Sequence, residues 1–219
     1  MRNRPHQLLC GGLILLLATA CTDGESRKEA THSATQVCDS TLTPPSAKTL
    51  ERLAATERFT ELTGTNQRGD ANKFSLELAA KRLYGGVKER NTCMVYKAGD
   101  DSGIPLLKID FEPTKSHPDP ETEVRKADRD RLVFPLGAYA EINGHSGANL
   151  YFPCSTKGPE GTSPYVWARM YSSWGHPTPG SSPEDRLTVL NDVARGLAEQ
   201  LGCADEAALP DRVPAPKNG

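Results

Sequence analysis

The chain has 219 residues, a formal net charge of −2 and 37% hydrophobic residues, enough for one domain with a substantial core. Basic and acidic residues nearly balance, 26 against 28, so the electrostatic footprint of a nucleic-acid-binding protein is missing. Beyond residue 20 no stretch is apolar over the roughly 20 residues that a spanning helix needs.

Residues 1–20 have the three zones of a secretory signal. Arg2 and Arg4 give a positive start, Leu8 to Leu17 is an apolar run, and Ala18-Thr19-Ala20 leads into Cys21. An uncut membrane anchor is the rival reading, but the run is too short and is followed by the polar Thr22-Asp23-Gly24-Glu25-Ser26. Asn3 separates the two arginines, which argues against a twin-arginine signal. The tetrad ending at Cys21 resembles the lipobox of bacterial lipoproteins, with Ala18 where Leu is commoner. That resemblance implies cleavage before Cys21, diacylglycerol on its thiol and acylation of the new amino terminus. The protein is thus expected at the cell membrane, lipid-anchored on the extracellular face. Residues 21–36 read as the lipidated terminus and a polar, disordered tether.

The folded part is expected over 37–208. Thr43-Pro44-Pro45 opens a helix carrying Leu50, Leu53 and Ala54 at helical spacing. A second helix is expected from Asp70, with Phe74, Leu78 and Leu83 inward, ending at Gly85-Gly86. Strands follow at 92–98 and 105–112, where Leu107, Ile109 and Phe111 alternate with Lys108, Asp110 and Glu112. Residues 113–131 read as a long charged loop with at most a short helical piece. Strands 138–142 and 148–153 flank Asn143-Gly144, a hairpin signal, and 165–173 is a fifth strand. Ser182 caps a last helix with Pro183, Glu184 and Asp185 in its first turn. Its apolar stripe is Leu187, Leu190, Val193, Ala194, Leu197 and Leu201, and Gly202 ends it. Residues 209–219 read as a flexible Pro-rich tail. The fold class is α+β: one antiparallel sheet of about five strands with helices on one face, in the order α-α-β-β-β-β-β-α.

Cys10 lies in the signal and Cys21 is the lipid site, leaving Cys38, Cys93, Cys154 and Cys203 in an exported domain. No C-x-x-C or nearby histidine has metal-ligand spacing, so two disulfides are expected and no metal. The last helix must run back along strand 165–173, which brings Cys203 to the start of that strand and so to Cys154. The expected pairs are Cys38–Cys93 and Cys154–Cys203.

The lipobox, Cys38 just before the first helix, Cys93 opening the first strand, the Gly99 to Gly103 turn and the strand Leu106–Phe111 together resemble actinobacterial secreted lipoproteins that carry a domain of unknown function. The resemblance covers about the first half of the folded part. It implies location and fold, and it brings no assigned chemistry.

Gly144-His145-Ser146-Gly147-Ala148 resembles a nucleophile elbow ending in Ala. That chemistry needs a strand-to-helix turn, whereas Asn149-Leu150-Tyr151-Phe152 reads as a strand, so a hairpin turn is favoured. His176 lies in a Gly/Pro-rich loop, and the acids Asp119, Glu121, Glu123, Asp128 and Asp130 alternate with Arg125, Lys126, Arg129 and Arg131 as a solvated mixed-charge surface does. Neither a phosphate-cradling loop nor another cofactor signature is present. The functional hint is aromatic. Tyr96, Tyr139, Tyr151, Tyr165 and Tyr171 all fall on expected strands, and one side of 165–173 carries Tyr165, Trp167, Arg169 and Tyr171 while Val166, Ala168 and Met170 occupy the other. Tyr, Trp and Arg are the residues enriched in binding hot spots. Cross-strand packing is the competing reading of the same stripe. The expected role is a non-catalytic binding or accessory module of the cell envelope, held to the membrane through lipid on Cys21, with an envelope protein or small ligand as partner. The alternative is an envelope serine hydrolase using Ser146.

Overall fold

The computed structural model describes residues 30–66, 69–126, 131–144, 147–173 and 181–217. Cys21 and the signal lie outside the described residues, as do His145, Ser146, Asp128, Asp130, Arg129 and His176. Among the described residues no helix is long and apolar enough to cross a membrane.

The domain is α+β with a single antiparallel sheet. Its strands are β1 (Phe59–Glu61), β2 (Cys93–Lys97), β3 (Leu107–Thr114), β4 (Arg131–Phe134), β5 (Tyr139–Asn143), β6 (Gly147–Gly158) and β7 (Gly161–Ser172). They lie in the order β1-β2-β3-β7-β6-β5-β4. The sheet thus has seven strands rather than about five. β1 has only three residues and β4 is a continuous Arg131-Leu132-Val133-Phe134 run, so neither carries the alternation that marks a half-buried strand. β6 and β7 are longer than expected because they continue beyond Pro153 to a hairpin at Gly158↔Gly161.

The helices are α1 (Pro44–Ala54), α2 (Leu76–Lys81), α3 (Pro120–Arg125), α4 (Glu184–Leu201) and α5 (Ala204–Ala207). α4 lies against β5, β6 and β7, with α1, α2 and α5 around it. Its stripe residues Leu187, Leu190, Val193, Ala194 and Leu197 are fully buried against Leu150, Phe152, Val166 and Ala168. Gly196 allows the close approach of α2, because a Cβ there would meet Thr41 at 2.9 Å and Leu76 at 3.2 Å. Arg52 of α1 pairs with Asp185 of α4 at 2.7 Å, and the Thr43 N–H and hydroxyl both donate to Asp192. Two helix starts differ from expectation. α4 begins after Pro183, with the Asp185 carboxylate accepting from the Ser182 N–H at 2.9 Å. α2 begins after Ser75, which caps Leu78 N–H, while Asp70 pairs instead with Arg82 at 3.0 Å. α3 departs from the one-face arrangement: it joins β4 through the Glu123–Arg131 ion pair, on the side away from α4.

The disulfides are Cys38–Cys93 and Cys154–Cys203. Gly202, at φ 75°, closes α4 and turns the chain so that Cys203 meets β6. Cys38, Asp39 and Ser40 form a left-handed turn at φ 50°, 61° and 60°. It is held by the Cys38 disulfide, by Cys38 N–H donating to Glu61 at 2.9 Å, and by Asp39 accepting from Leu76 N–H at 2.9 Å.

Both sheet edges are covered by the ends of the chain. His32 exchanges two backbone hydrogen bonds with Phe59 on β1, and Ala34 is fully buried, so the fold starts before residue 37. The segment that composition reads as a free tail is docked. Pro210 O accepts from Asn191, Asp211 pairs with Arg195, Val213 packs on the core, and Lys217 N–H donates to Val133 O. Its apolar anchors are single residues among prolines, too sparse to form a pattern.

Candidate functional site

Strand alternation divides β7 cleanly. Val166, Ala168 and Met170 are buried beneath the helices, and Tyr165, Trp167, Arg169 and Tyr171 stand on the other, outer face. Register builds the rest of that face around them. One row runs Asp110–Arg169–Asn149–Glu141 across β3, β7, β6 and β5, and the next runs Glu112–Trp167–Tyr151–Tyr139. Tyr96 belongs to the same face, since its neighbour-but-one Met94 pairs with Lys108. All five strand tyrosines therefore lie on the outer side.

The first row is ionic. Arg169 pairs with Asp110 at 2.5 Å and with Glu112 at 3.1 Å. Arg90, from the loop before β2, reaches the same two carboxylates at 3.4 and 3.0 Å. Two guanidinium groups thus balance two carboxylates, as largely buried charges require. Asp110 Oδ1 nevertheless has no hydrogen-bond partner among the described residues, although Asp110 is only 8% exposed.

The second row is aromatic. Trp167 stacks on Tyr151 at 5.2 Å with 9° between the rings, and the Arg169 guanidinium lies 4.4 Å from the indole centroid. Tyr151 of β6 and Arg169 of β7 itself thus both contact the indole. Its N–H donates to Asn149 at 3.0 Å, Asn149 donates to Glu141, and Glu141 accepts from Tyr139 and Arg131 at 2.7 Å each. Burial and the adjacent Glu141 charge push the Tyr139 phenol well above its ordinary range, which keeps it a donor. Burial pulls the Arg131 guanidinium down, but its bonds to Glu141 and Tyr139 outweigh that and hold it charged. Trp167 is therefore the centre of an internal network rather than an exposed platform. Tyr165, at the far end, takes an edge contact from His117 at 4.8 Å.

Exposure is concentrated elsewhere on this face. Among the described residues, the exposed large hydrophobic side chains are Val87, Ile104 and Tyr171, at 66%, 58% and 54%. Val87 and Tyr171 line one groove of about 370 Å³ together with Lys108, Asp110, Asn149 and Arg169. Lys108 has no ion pair or side-chain hydrogen bond within the described residues. The groove volume lies in the lower part of the range of ligand sites.

The other candidates are dispersed. Gly144 follows β5 and Gly147 opens β6, so the G-x-S-x-A motif is followed by a strand, not by the helix that a nucleophile elbow uses. Asp119 caps α3, and Glu123 pairs with Lys126 and Arg131. Cys38, Cys93 and Glu61 lie together, but both sulfurs are spent in a disulfide, which leaves one carboxylate where a metal would need three donors or more. Glu61 is pushed above the usual carboxylate range by burial, although Cys38 N–H favours its charge.

Sequence reasoning found the β7 stripe and missed most of its surroundings. Lys108, Asp110 and Glu112 were separable from the core by alternation alone. Their place beside Arg169 and Trp167 depends on β3 pairing with β7 across more than 50 residues, which no local pattern encodes. Val87 and Arg90 lie in a loop without a signal. Comparison with protein-family models, curated proteins and solved structures finds no match to this chain.

Proposed function

We propose that the protein is a lipid-anchored module of the cell envelope that binds a partner through the outer face of its sheet, without catalysis of its own. Lipid on Cys21, implied by the lipobox resemblance to actinobacterial secreted lipoproteins, holds the domain at the extracellular face of the membrane. Diacylglycerol supplies the two chains that stable anchoring takes. The observation that carries the binding role is the groove flanked by Val87 and Tyr171. It sets exposed apolar side chains beside Lys108 and Arg169 on the face away from α4, a composition suited to recognition. The fixed network under Trp167 gives the face a rigid floor, which lowers the entropy lost on binding.

A photo-crosslinking amino acid placed at Tyr171, and in a parallel strain at Lys48, an exposed residue of α1, tests this in intact cells. Position 171 is expected to yield a discrete adduct that position 48 does not. Equal, diffuse labelling from both positions contradicts a binding role for this face.

A further inference from the structure

We infer that a pocket at the hairpin end of β6 and β7 takes a small zwitterion of the amino-acid class, either a free amino acid or a short peptide. The pocket has a volume of about 300 Å³ and shares no lining residue with the Val87–Tyr171 groove, so the inference is independent of the binding face. It lies beside Gly158↔Gly161, the opposite end of the β6–β7 pairing from Gly147↔Tyr171. Its size is at the small end of the range for small-molecule sites. The apolar wall is rigid. Pro113 and Pro159 contribute fixed rings, and the Tyr84 ring is held from two sides. The Tyr84 and Thr156 hydroxyls share a hydrogen bond of 2.9 Å. Gly158 admits the ring, because a Cβ there would come within 2.2 Å of it. A wall that is already ordered loses little entropy when a ligand binds.

Three polar groups of the lining have no protein partner. Ser163 is only 6% exposed, and its hydroxyl makes no hydrogen bond among the described residues. That oxygen is reachable from the pocket, since the unpartnered side-chain atoms sealed from solvent are those of Glu61, Asp110 and Asn191. Lys115 and Glu160, both exposed, add one charge of each sign. Unlike the arginines and carboxylates around Arg169, neither has an ion pair or side-chain hydrogen bond among the described residues. An anionic ligand leaves Glu160 unanswered, a cationic ligand leaves Lys115, and a neutral one leaves both. An ammonium and a carboxylate on one small molecule answer the two together. The Ser163 hydroxyl, which both donates and accepts, serves either group. An apolar side chain of the ligand then lies against Tyr84 and the two proline rings.

The test is a saturation-transfer NMR titration of the protein purified from cells. The probes are leucine, leucyl-leucine, N-acetylleucine, which keeps the carboxylate alone, and leucinamide, which keeps the ammonium alone. Leucine or leucyl-leucine is expected to bind, and each single-charge derivative at least about tenfold more weakly. Binding of leucine alone assigns a free amino acid, and binding of leucyl-leucine alone assigns a peptide. Lys115→Gln is expected to abolish the preference for the zwitterion over leucinamide while keeping that over N-acetylleucine, and Glu160→Gln to do the reverse. Both side chains are exposed, so the melting temperature is expected to stay unchanged. Ser163→Ala is expected to weaken the zwitterion, and Lys48→Gln, on α1, to leave every preference intact. Failure of both zwitterions, equal binding of a single-charge derivative, or preferences that survive Lys115→Gln and Glu160→Gln in folded protein overturn the inference.

Discussion

Trp167 on β7 donates its indole N–H to Asn149 on β6 across 3.0 Å, and Asn149 passes the chain of bonds on to Glu141. The stripe that composition marks as a recognition surface thus contains its own internal support. Trp167→Ala removes a stacked ring pair, a cation–π contact and a hydrogen bond. The expected cost is about 2–3 kcal/mol in urea unfolding, below the sum of the three interactions' upper ranges. Tyr171→Ala, on an exposed ring of the same strand, is expected to stay within about 0.5 kcal/mol of the parent. Equal losses for the two variants contradict the division of β7 into support and exposed rim.

The two disulfides close separations of 55 and 49 residues. In the chain-entropy picture each is worth about 4 kcal/mol before native-state strain. Replacing Cys154 and Cys203 together by Ala is expected to lower stability by that order, with the Cys38–Cys93 peptide still recovered in non-reducing peptide mapping. A Cys38–Cys203 or Cys93–Cys154 peptide from the parent protein contradicts the pairing.

Glu61 gives a pH dependence of definite sign. Burial beside the Cys38–Cys93 disulfide raises its folded pKa, against the opposing N–H of Cys38. An unfolded glutamate titrates near ~4.3, so the folded state holds the proton more tightly. Its contribution is fully present below the unfolded value, falls as pH rises through the folded pKa, and is then lost. Glu61→Gln keeps an acceptor for Cys38 N–H and does not titrate. Chemical unfolding across that window is expected to show a declining stability for the parent and a smaller decline for Glu61→Gln. Parallel curves contradict the assignment.

Lipid on Cys21 is tested by cell fractionation and intact-mass measurement. Cys21→Ala is expected to leave the membrane fraction or to accumulate as precursor, while the parent carries a diacylglycerol mass on a chain that starts at residue 21. A native protein that retains residues 1–20 and bears no lipid contradicts the anchor.

Local chemistry made much of this domain legible. The α4 stripe, the Asn143-Gly144 hairpin and the β3 and β7 alternations are each written in contiguous residues, and the structure places them accordingly. The direction of α4 relative to β7 was enough to bring Cys203 to Cys154. What stayed hidden is non-local or short. β1 draws its stability from pairing with β2 and with His32, and the docked tail depends on Asn191 and Arg195 of α4. On the outer face, alternation gave the side on which Asp110 and Glu112 stand. Only the strand order gave them Arg169 as a partner.

The outer face as a binding surface is tested most directly by hydroxyl-radical footprinting of the lipoprotein on intact cells against the purified protein in nanodiscs. Tyr171 and Val87 are expected to be protected on the cell, while Leu201, at the end of α4 on the opposite side of the sheet, reacts equally in both. Equal reactivity of Tyr171 and Val87 in the two settings would contradict a partner on this face.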